Sequence, residues 1–236
     1  MASEHLETLR QSYTEQGFNS DQIDQICYGL SYGLSMEQIQ IFANLQFSAG
    51  QMEAVWLGFK HGLSMEHVLL YASPQFSQEQ MREILHGFLL GLSLEQVRLY
   101  AKPCFRDNQM FGIRKSLQKG ITLEQAKILA NPRFNHWQMT EITKGFRNKL
   151  TTEQILMFAD PKFIAKQMEQ IRLGLQKKLS MEQILYLSDT RFCGTSMQQI
   201  RLAFQHGVSL NDIKANVTHD MPASMIKNIC KILIGN

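Results

Sequence analysis

Hydrophobic and polar positions recur along this chain in one pattern that repeats many times. The string Gly33-Leu-Ser-Met-Glu-Gln-Ile begins again, in closely similar form, at residues 62, 91, 120, 149, 178 and 207, which is a constant step of 29 residues. A phenylalanine keeps the same spacing further along each repeat, at Phe18, Phe47, Phe76, Phe105, Phe134, Phe163 and Phe192. A fixed period of this length is typical of proteins built from stacked structural repeats.

Each repeat is predicted to form two short helices. Ser35 stands before the first helix and Gln38 at its third position, which is the pattern of a capping box. Ser48 precedes the second helix in the same way. The apolar stripe of that helix is Met52, Val55 and Phe59 in one repeat and Met81, Ile84 and Phe88 in the next. Prolines follow the first helix, where they cannot continue it, at Pro74, Pro103, Pro132 and Pro161.

The repeats account for nearly the whole chain of 236 residues. The sequence therefore predicts an all-α fold, an α-solenoid of eight helix-turn-helix repeats of 29 residues. We expect a single solenoid over 1–236, with an N-terminal capping repeat at about 4–32, regular repeats at 33–206 and a C-terminal capping repeat at 207–236.

Small residues recur inside the second helix of each repeat. Glycine recurs there, although it costs about 1 kcal/mol relative to alanine inside a helix. Serine or alanine takes the same place elsewhere, so small size is what this position requires. The pattern favours a close helix crossing over a flexible hinge. The residues are Gly58, Gly87, Gly145 and Gly174, with Ser116 and Ala203 in the equivalent positions.

No catalytic or metal-binding motif accompanies the repeats. The chain lacks a nucleophile elbow, a phosphate loop, an HExxH motif and paired cysteines. His61 and His67 are close in sequence, but no acidic or cysteine ligands stand beside them. We expect a protein that is not an enzyme and needs no cofactor or metal. Four separated cysteines, and no signal-peptide or membrane-spanning pattern, favour a reduced, cytoplasmic location without membrane contact.

Three positions of the repeat vary strongly between copies and are the predicted binding surface. They mix aromatic, aliphatic and basic residues, a composition over-represented in protein interfaces. We therefore expect a binding module whose partner is another protein. Partial burial of these residues against the next repeat is the alternative for each of them. The predicted partner-binding residues are Tyr28, Trp56, Leu57, Arg98, Arg114, Lys115, Lys127, Lys144, Arg172, Leu173, Arg201 and Leu202.

Charge is distributed unevenly along the sequence. Residues 1–97 carry 3 basic and 11 acidic side chains, whereas residues 98–149 carry 11 basic and 3 acidic ones. The basic segment 98–149 raises a second hypothesis, which is nucleic-acid binding through phosphate contacts. A third hypothesis is head-to-tail self-association, because the acidic segment of one copy would attract the basic segment of another.

The repeat resembles a helical repeat found in proteins of phages and conjugative elements of gut bacteria. The resemblance rests on Gly-Leu-Ser-x-Glu-Gln-(Ile/Val), then Tyr-Ala-x-Pro-x-Phe and Gln-Met-x-x-Ile-Arg-x-Gly-Leu, and it is strongest at 91–105 and 159–183. It implies an origin in mobile DNA, and a role in acting on a host protein would suit that origin. It implies no particular reaction.

The start of each repeat also resembles transcription-activator-like effector repeats, as in Leu150-Thr-Thr-Glu-Gln-Ile and Ala159. Those repeats read DNA through a glycine-containing loop that follows the alanine. Here that loop is Asp160-Pro161-Lys162-Phe163, and the repeat is several residues shorter. The resemblance therefore implies a related helix pair without the element that reads bases.

Overall fold

The chain is all-helical in the computed structural model, which describes residues 2–235, with side-chain environments from residue 7 onward. Sixteen helices and no strand occur within that range. The predicted all-α class is confirmed. The chain divides into two compact units, Met1–Gln118 and Lys119–Asn236, called here the first and the second unit.

The first unit alternates long and short helices. The long helices α2, α4 and α6 each pack against the next long helix along the chain, and the short helices between them contact their sequence neighbours. This stacking of sequential neighbours is typical of helical solenoids. The eight helices are α1 (Ala2–Glu15), α2 (Ser20–Ser31), α3 (Met36–Phe42), α4 (Ala49–Lys60), α5 (Met65–Leu69), α6 (Gln78–Leu89), α7 (Leu94–Tyr100) and α8 (Asp107–Gln118).

The second unit has the same organisation. Its long helices α10, α12, α14 and α16 again contact one another in chain order. The eight helices are α9 (Leu123–Leu129), α10 (His136–Arg147), α11 (Thr152–Leu156), α12 (Ala165–Gln176), α13 (Met181–Leu187), α14 (Gly194–Gln205), α15 (Leu210–Asn216) and α16 (Ala223–Gly235).

The predicted helix caps are confirmed. At the start of α3, the Gln38 backbone N–H donates to the Ser35 hydroxyl, and the Ser35 N–H donates to the Gln38 side chain at 2.9 Å. Each bond satisfies a backbone donor that the first turn of a helix leaves free. The same pair of bonds is formed at Ser48, Ser77, Ser93, Thr122, Asn135, Thr151 and Ser180. Ser64 and Ser209 accept the backbone bond alone.

The core of each unit is formed by the recurring phenylalanines and methionines. Phe47, Met52 and Val55 are almost fully excluded from solvent, and their counterparts are buried in the other repeats as far as Phe192, Met197 and Ile200. Burying such side chains contributes about 1.5–3 kcal/mol each relative to exposure. The short helices are too short to be stable alone, so this packing against neighbours is what maintains them.

A glutamine near the start of each of several long helices links one repeat to the next. Gln51 Nε2 donates to the Phe76 carbonyl oxygen at 2.6 Å, and Gln138 Nε2 donates to that of Phe163 at 2.6 Å. The same side chain also caps its own helix through its oxygen atom. One residue therefore stabilises both its own helix end and the junction to the following repeat.

The close helix crossing predicted from the small residues is confirmed in both units. A Cβ atom added at Gly58 would overlap the hydroxyl of Tyr71, just after α5, and one added at Gly87 would overlap that of Tyr100, at the end of α7. At Gly174 it would lie 2.8 Å from Ile184 Cδ1. These positions bring a short helix against the backbone of a long one, and no larger side chain fits without rearrangement.

Candidate functional site

An exposed group of aromatic side chains lies on α2 and α4 of the first unit. Tyr28 and Tyr32 are 52% and 53% exposed. The Tyr32 ring stacks on Trp56 with centroids 5.3 Å apart and an interplanar angle of 16°, and Tyr28 lies 6.4 Å from the same indole. Lys60 Nζ stands 3.9 Å from the centroid of the Tyr32 ring. We call these four residues the aromatic patch.

Helical spacing explains how the aromatic patch forms. Tyr28 and Tyr32 are four residues apart at the end of α2, and Trp56 and Lys60 are four apart at the end of α4. Residues with this spacing share one face of a helix, and α2 and α4 pack side by side. A cation above an aromatic ring contributes about 0.5–1 kcal/mol at an exposed site, so Lys60 helps to fix the Tyr32 ring.

Trp56 itself is buried, with only 6% of its surface exposed, so its predicted exposure is wrong. The indole N–H donates to Gln25 Oε1 at 3.0 Å, across the junction between α2 and α4. The physical reason is that the neighbouring helix supplies both a polar acceptor and apolar surface for the indole. Trp56 therefore supports the exposed tyrosines from beneath, and Leu57 beside it is half-buried.

The predicted exposure of three arginines is also wrong, because Arg114, Arg172 and Arg201 are buried. Arg114 Nε donates to Glu83 Oε2 at 2.8 Å in the first unit, and Arg172 Nε donates to Glu141 Oε2 at 2.8 Å in the second. The partner in each case lies on the preceding long helix, 31 residues earlier. A buried charge needs such a partner, so the variation at this position reflects pairing between adjacent helices.

Arg201 follows the same geometry with an uncharged partner. Its Nε donates to Gln170 Oε1 at 3.0 Å, and its Nη1 donates to Gln205 Oε1 at 2.9 Å. Burial lowers the pKa of the Arg201 guanidinium, with the nearby Glu169 acting in the opposite direction. We call the hydrogen-bonded residue pairs at this 31-residue spacing, which are buried or partly buried, the cross-helix pairs. They are Gln25–Trp56, Glu83–Arg114, Glu141–Arg172 and Gln170–Arg201.

The remaining predicted cations are exposed, but most of them already contact a carboxylate of this chain. Arg98 pairs with Glu66 at 3.0 Å in the first unit. Lys127 pairs with Glu124 at 2.6 Å and Lys144 with Glu141 at 2.7 Å in the second. Lys115 is exposed, and its Nζ stands 5.8 Å from the centroid of the Phe111 ring. Leu173 and Leu202 of the second unit are half-buried.

Three exposed aromatic residues of the described chain, Tyr32, Phe111 and Trp137, were not among the predicted binding residues. Tyr32 belongs to the aromatic patch, and its spacing of four residues from Tyr28 could have indicated that both lie on one helix face. Trp137, near the start of α10, is 66% exposed and its ring lies 4.4 Å from that of His136. Its position in the repeat is otherwise occupied by polar or small residues, such as Asn108 and Lys166, so an isolated tryptophan there gave no repeating pattern to follow.

The described residues contain no group of three or more histidine, cysteine, aspartate and glutamate side chains placed to hold a metal ion. None of the described helices is both long and apolar enough to span a membrane. Taken unit by unit, the structure defines an all-helical protein with the neighbour-to-neighbour packing of a helical solenoid. Comparison with protein-family models, curated proteins and solved structures finds no match to this chain.

Proposed function

We propose that this chain is a non-enzymatic solenoid of eight 29-residue repeats that binds another protein through the aromatic patch. One observation carries the proposal: Tyr28 and Tyr32 are half exposed, yet their rings contact the buried Trp56 indole. Tyrosines contribute large contact area at low entropic cost and are common among the residues that dominate binding energy. Two neighbouring aromatic rings held in contact with solvent are unfavourable unless a partner covers them, so such a surface marks an interaction site.

The net acidic charge of the segment that carries the aromatic patch favours a basic partner. Residues 1–97 contain 11 acidic and only 3 basic side chains, and opposite charge on a partner would speed association and fix its orientation. The resemblance of the repeat to proteins of phages and conjugative elements supports a host protein, met in the cytoplasm, as that partner.

The test compares two double variants. Tyr28→Ala with Tyr32→Ala removes the exposed rings and leaves Trp56 in place. Leu156→Ala with Leu185→Ala is the matched control, because these leucines are also exposed but lie in the second unit. A photo-reactive phenylalanine analogue at position 28 captures the partner, and titration calorimetry with the purified partner measures affinity. The patch variant is expected to weaken binding at least 30-fold, since the loss of even one ring that dominates binding costs about 2 kcal/mol.

Full affinity of the patch variant for the captured partner would refute the proposal. So would equal losses in the two variants, because the binding surface would then extend over exposed apolar residues in general.

Nucleic-acid binding is the second candidate, supported by the exposed Lys115, Lys127 and Lys144. Two of these lysines already pair with carboxylates of the chain, which reduces the positive charge offered to phosphates. We therefore expect no binding to random duplex DNA in fluorescence anisotropy at about 50 mM salt. Binding that weakens steeply between about 50 and 200 mM salt would establish phosphate contacts and favour this candidate. Head-to-tail self-association predicts instead a concentration-dependent mass in analytical ultracentrifugation.

A further inference from the structure

An open groove of about 410 Å³ lies in the second unit, next to the turns that follow α10 and α12. Lys149 and Lys178 line it, together with the side chains of Asn148 and Gln154. Leu150 and Leu175 also contribute to its wall, and no carboxylate does so among the described residues. The groove therefore combines two positive charges with hydrogen-bonding amides and some apolar surface.

Both lysines adopt a backbone conformation that lysine disfavours. Lys149 has a φ of 62° and Lys178 a φ of 58°, and they are the only residues other than glycine with positive φ in the described chain. Glycine occupies the same place in the other turns, at Gly33, Gly62, Gly91, Gly120 and Gly207. A residue with a Cβ atom pays a steric cost in this left-handed region that glycine avoids.

The two turns in which lysine replaces glycine lie beside the same groove. They occur in consecutive repeats, and both residues line the same cavity. Strained backbone conformations often cluster at functional sites. Here the two strained residues, Lys149 and Lys178, lie beside one groove. Nothing in the packing of the turns requires lysine, because five other turns of the chain are built with glycine.

The charge of the groove selects its ligand. Two ammonium groups match the charge of about −1.5 to −2 that a phosphate monoester carries at neutral pH, and lysine is a common phosphate ligand. The amides of Asn148 and Gln154 offer additional hydrogen bonds, and the leucines offer apolar contact to the group that bears the phosphate. We propose that this groove binds a phosphate monoester through Lys149 and Lys178, independently of the aromatic patch.

The chain supplies a variant that removes both charges without threatening the fold. Lys149→Gly with Lys178→Gly restores the residue used in the other turns, so the melting temperature is expected to rise by a few degrees. The matched control is Lys119→Asn with Lys177→Asn. These two exposed lysines precede the same turn position, lie in the same unit, and do not line the groove. Asparagine already occupies their place at Asn148.

Phosphoserine and adenosine 5′-monophosphate are titrated by calorimetry at constant ionic strength, with amide chemical shifts recorded in parallel. The wild type is expected to bind at least one probe with a dissociation constant of about 1 mM or tighter, with shifts at Lys149 and Lys178. The glycine variant is expected to bind at least tenfold more weakly, and the asparagine control within twofold of wild type. The probe that binds more tightly identifies the source of the phosphate, a modified protein side chain or a free nucleotide.

Absence of binding by the wild type would overturn the proposal. An equal loss in both double variants would overturn it as well, because affinity would then follow net charge and not the groove. Since the groove and the aromatic patch lie in different units, either result leaves the test of partner binding unaffected.

Discussion

The two compact units use the same helix pair and the same buried phenylalanines and methionines, but they fill equivalent positions differently. The residue packed against the crossing glycine is Phe42, Tyr71 or Tyr100 in the first unit and Phe158 or Leu187 in the second, so the two tyrosines have no counterpart in the second unit. The turn after the long helix uses glycine throughout the first unit but lysine at two places in the second. Positions with the same residue type in both units maintain the fold, and positions with different residue types give the two units different surface and core chemistry.

The cross-helix pairs show what such exchanges require. In the first unit, positions 31 residues apart hold the buried, apolar Ala54 and Leu85. The equivalent positions in the second unit hold the ion pair Glu141–Arg172, with both side chains more than 90% buried. The apolar pair and the ion pair both fit between stacked long helices, because a change in one member is matched by a change in the other. Exchanging a pair between the units therefore measures how much stability each solution provides.

The largest effect is expected when one member of a buried ion pair is removed. Arg172→Leu leaves the buried Glu141 carboxylate with Lys144 as its remaining partner. Losing one partner of a buried pair typically costs 3–5 kcal/mol, and the remaining lysine places the expected loss near the lower limit, at about 3 kcal/mol. Urea denaturation followed by circular dichroism gives the free energy of unfolding.

The double variant Glu141→Ala with Arg172→Leu copies the pair Ala54 and Leu85 from the first unit. It is expected to recover to within about 1 kcal/mol of wild type, because no buried charge remains. Arg98→Ala serves as the control, since its exposed pair with Glu66 should contribute less than about 1 kcal/mol. A double variant as unstable as Arg172→Leu alone would show that the two kinds of pair are not interchangeable.

The crossing glycines should differ in their tolerance of alanine. In Gly87→Ala the new Cβ overlaps the Tyr100 hydroxyl, the end of a rigid ring, and a cost of about 2 kcal/mol is expected from overpacking. In Gly174→Ala it meets Ile184 Cδ1, a terminal methyl group that can rotate away. Alanine also favours the helix by about 1 kcal/mol, so this second variant should be close to neutral. Equal losses in chemical denaturation would mean that the helix spacing, and not the opposing side chain, sets the limit.

The two buried tyrosines should respond in opposite directions to removal of the hydroxyl. Tyr71 Oη donates to the Ala54 carbonyl oxygen at 3.1 Å, whereas the buried Tyr100 hydroxyl has no hydrogen-bond partner among the described residues. Tyr71→Phe is therefore expected to lower the free energy of unfolding by about 1 kcal/mol, and Tyr100→Phe to raise it by about 1 kcal/mol. Differential scanning calorimetry of the two variants distinguishes the signs.

The same tyrosines predict a loss of stability at alkaline pH. Burial raises the pKa of Tyr71 and of Tyr100 above the ordinary value of 10.0. The unfolded chain therefore releases these protons first, and stability that is fully present below pH 10 falls as the pH rises further. The decline approaches about 1.4 kcal/mol per pH unit for each tyrosine. Replacing both by phenylalanine, as at Phe158, should flatten the profile between pH 10 and 11; an unchanged slope would assign the decline to other groups.

The repeating positions made most of the fold predictable. Helix caps such as Ser35, and the crossing glycines, follow local rules that hold wherever the neighbouring repeat is the same. The binding surface was harder to predict, because variation between repeats has two causes that a single position does not separate. Trp56 and Arg172 vary because a residue on the preceding helix varies with them, whereas Tyr28 varies while remaining exposed.

A comparison of paired positions would have separated these causes. Glu83 with Arg114 and Glu141 with Arg172 show the same complementary change 31 residues apart, and that relation is visible in the sequence once the offset is known. The offset itself depends on how consecutive long helices pack, which the repeat length does not specify. The groove beside Lys149 was likewise unpredictable, since it depends on the distance between turns of adjacent repeats.

The smallest effect concerns the start of α12, where Ile164 occupies the N-cap position held by Ser77 at the start of α6 in the first unit. Ile164 has the extended backbone of an N-cap, but its side chain accepts no hydrogen bond and is largely exposed. Ile164→Ser is expected to raise the free energy of unfolding by about 1 kcal/mol, and Ser77→Ile to lower it by a similar amount. The Gln167 backbone N–H already donates to the Ile164 carbonyl oxygen at 2.9 Å. If the serine gives no gain in thermal denaturation while the reverse exchange costs stability, this backbone bond satisfies the helix end in the second unit, and the two units terminate their long helices by different means.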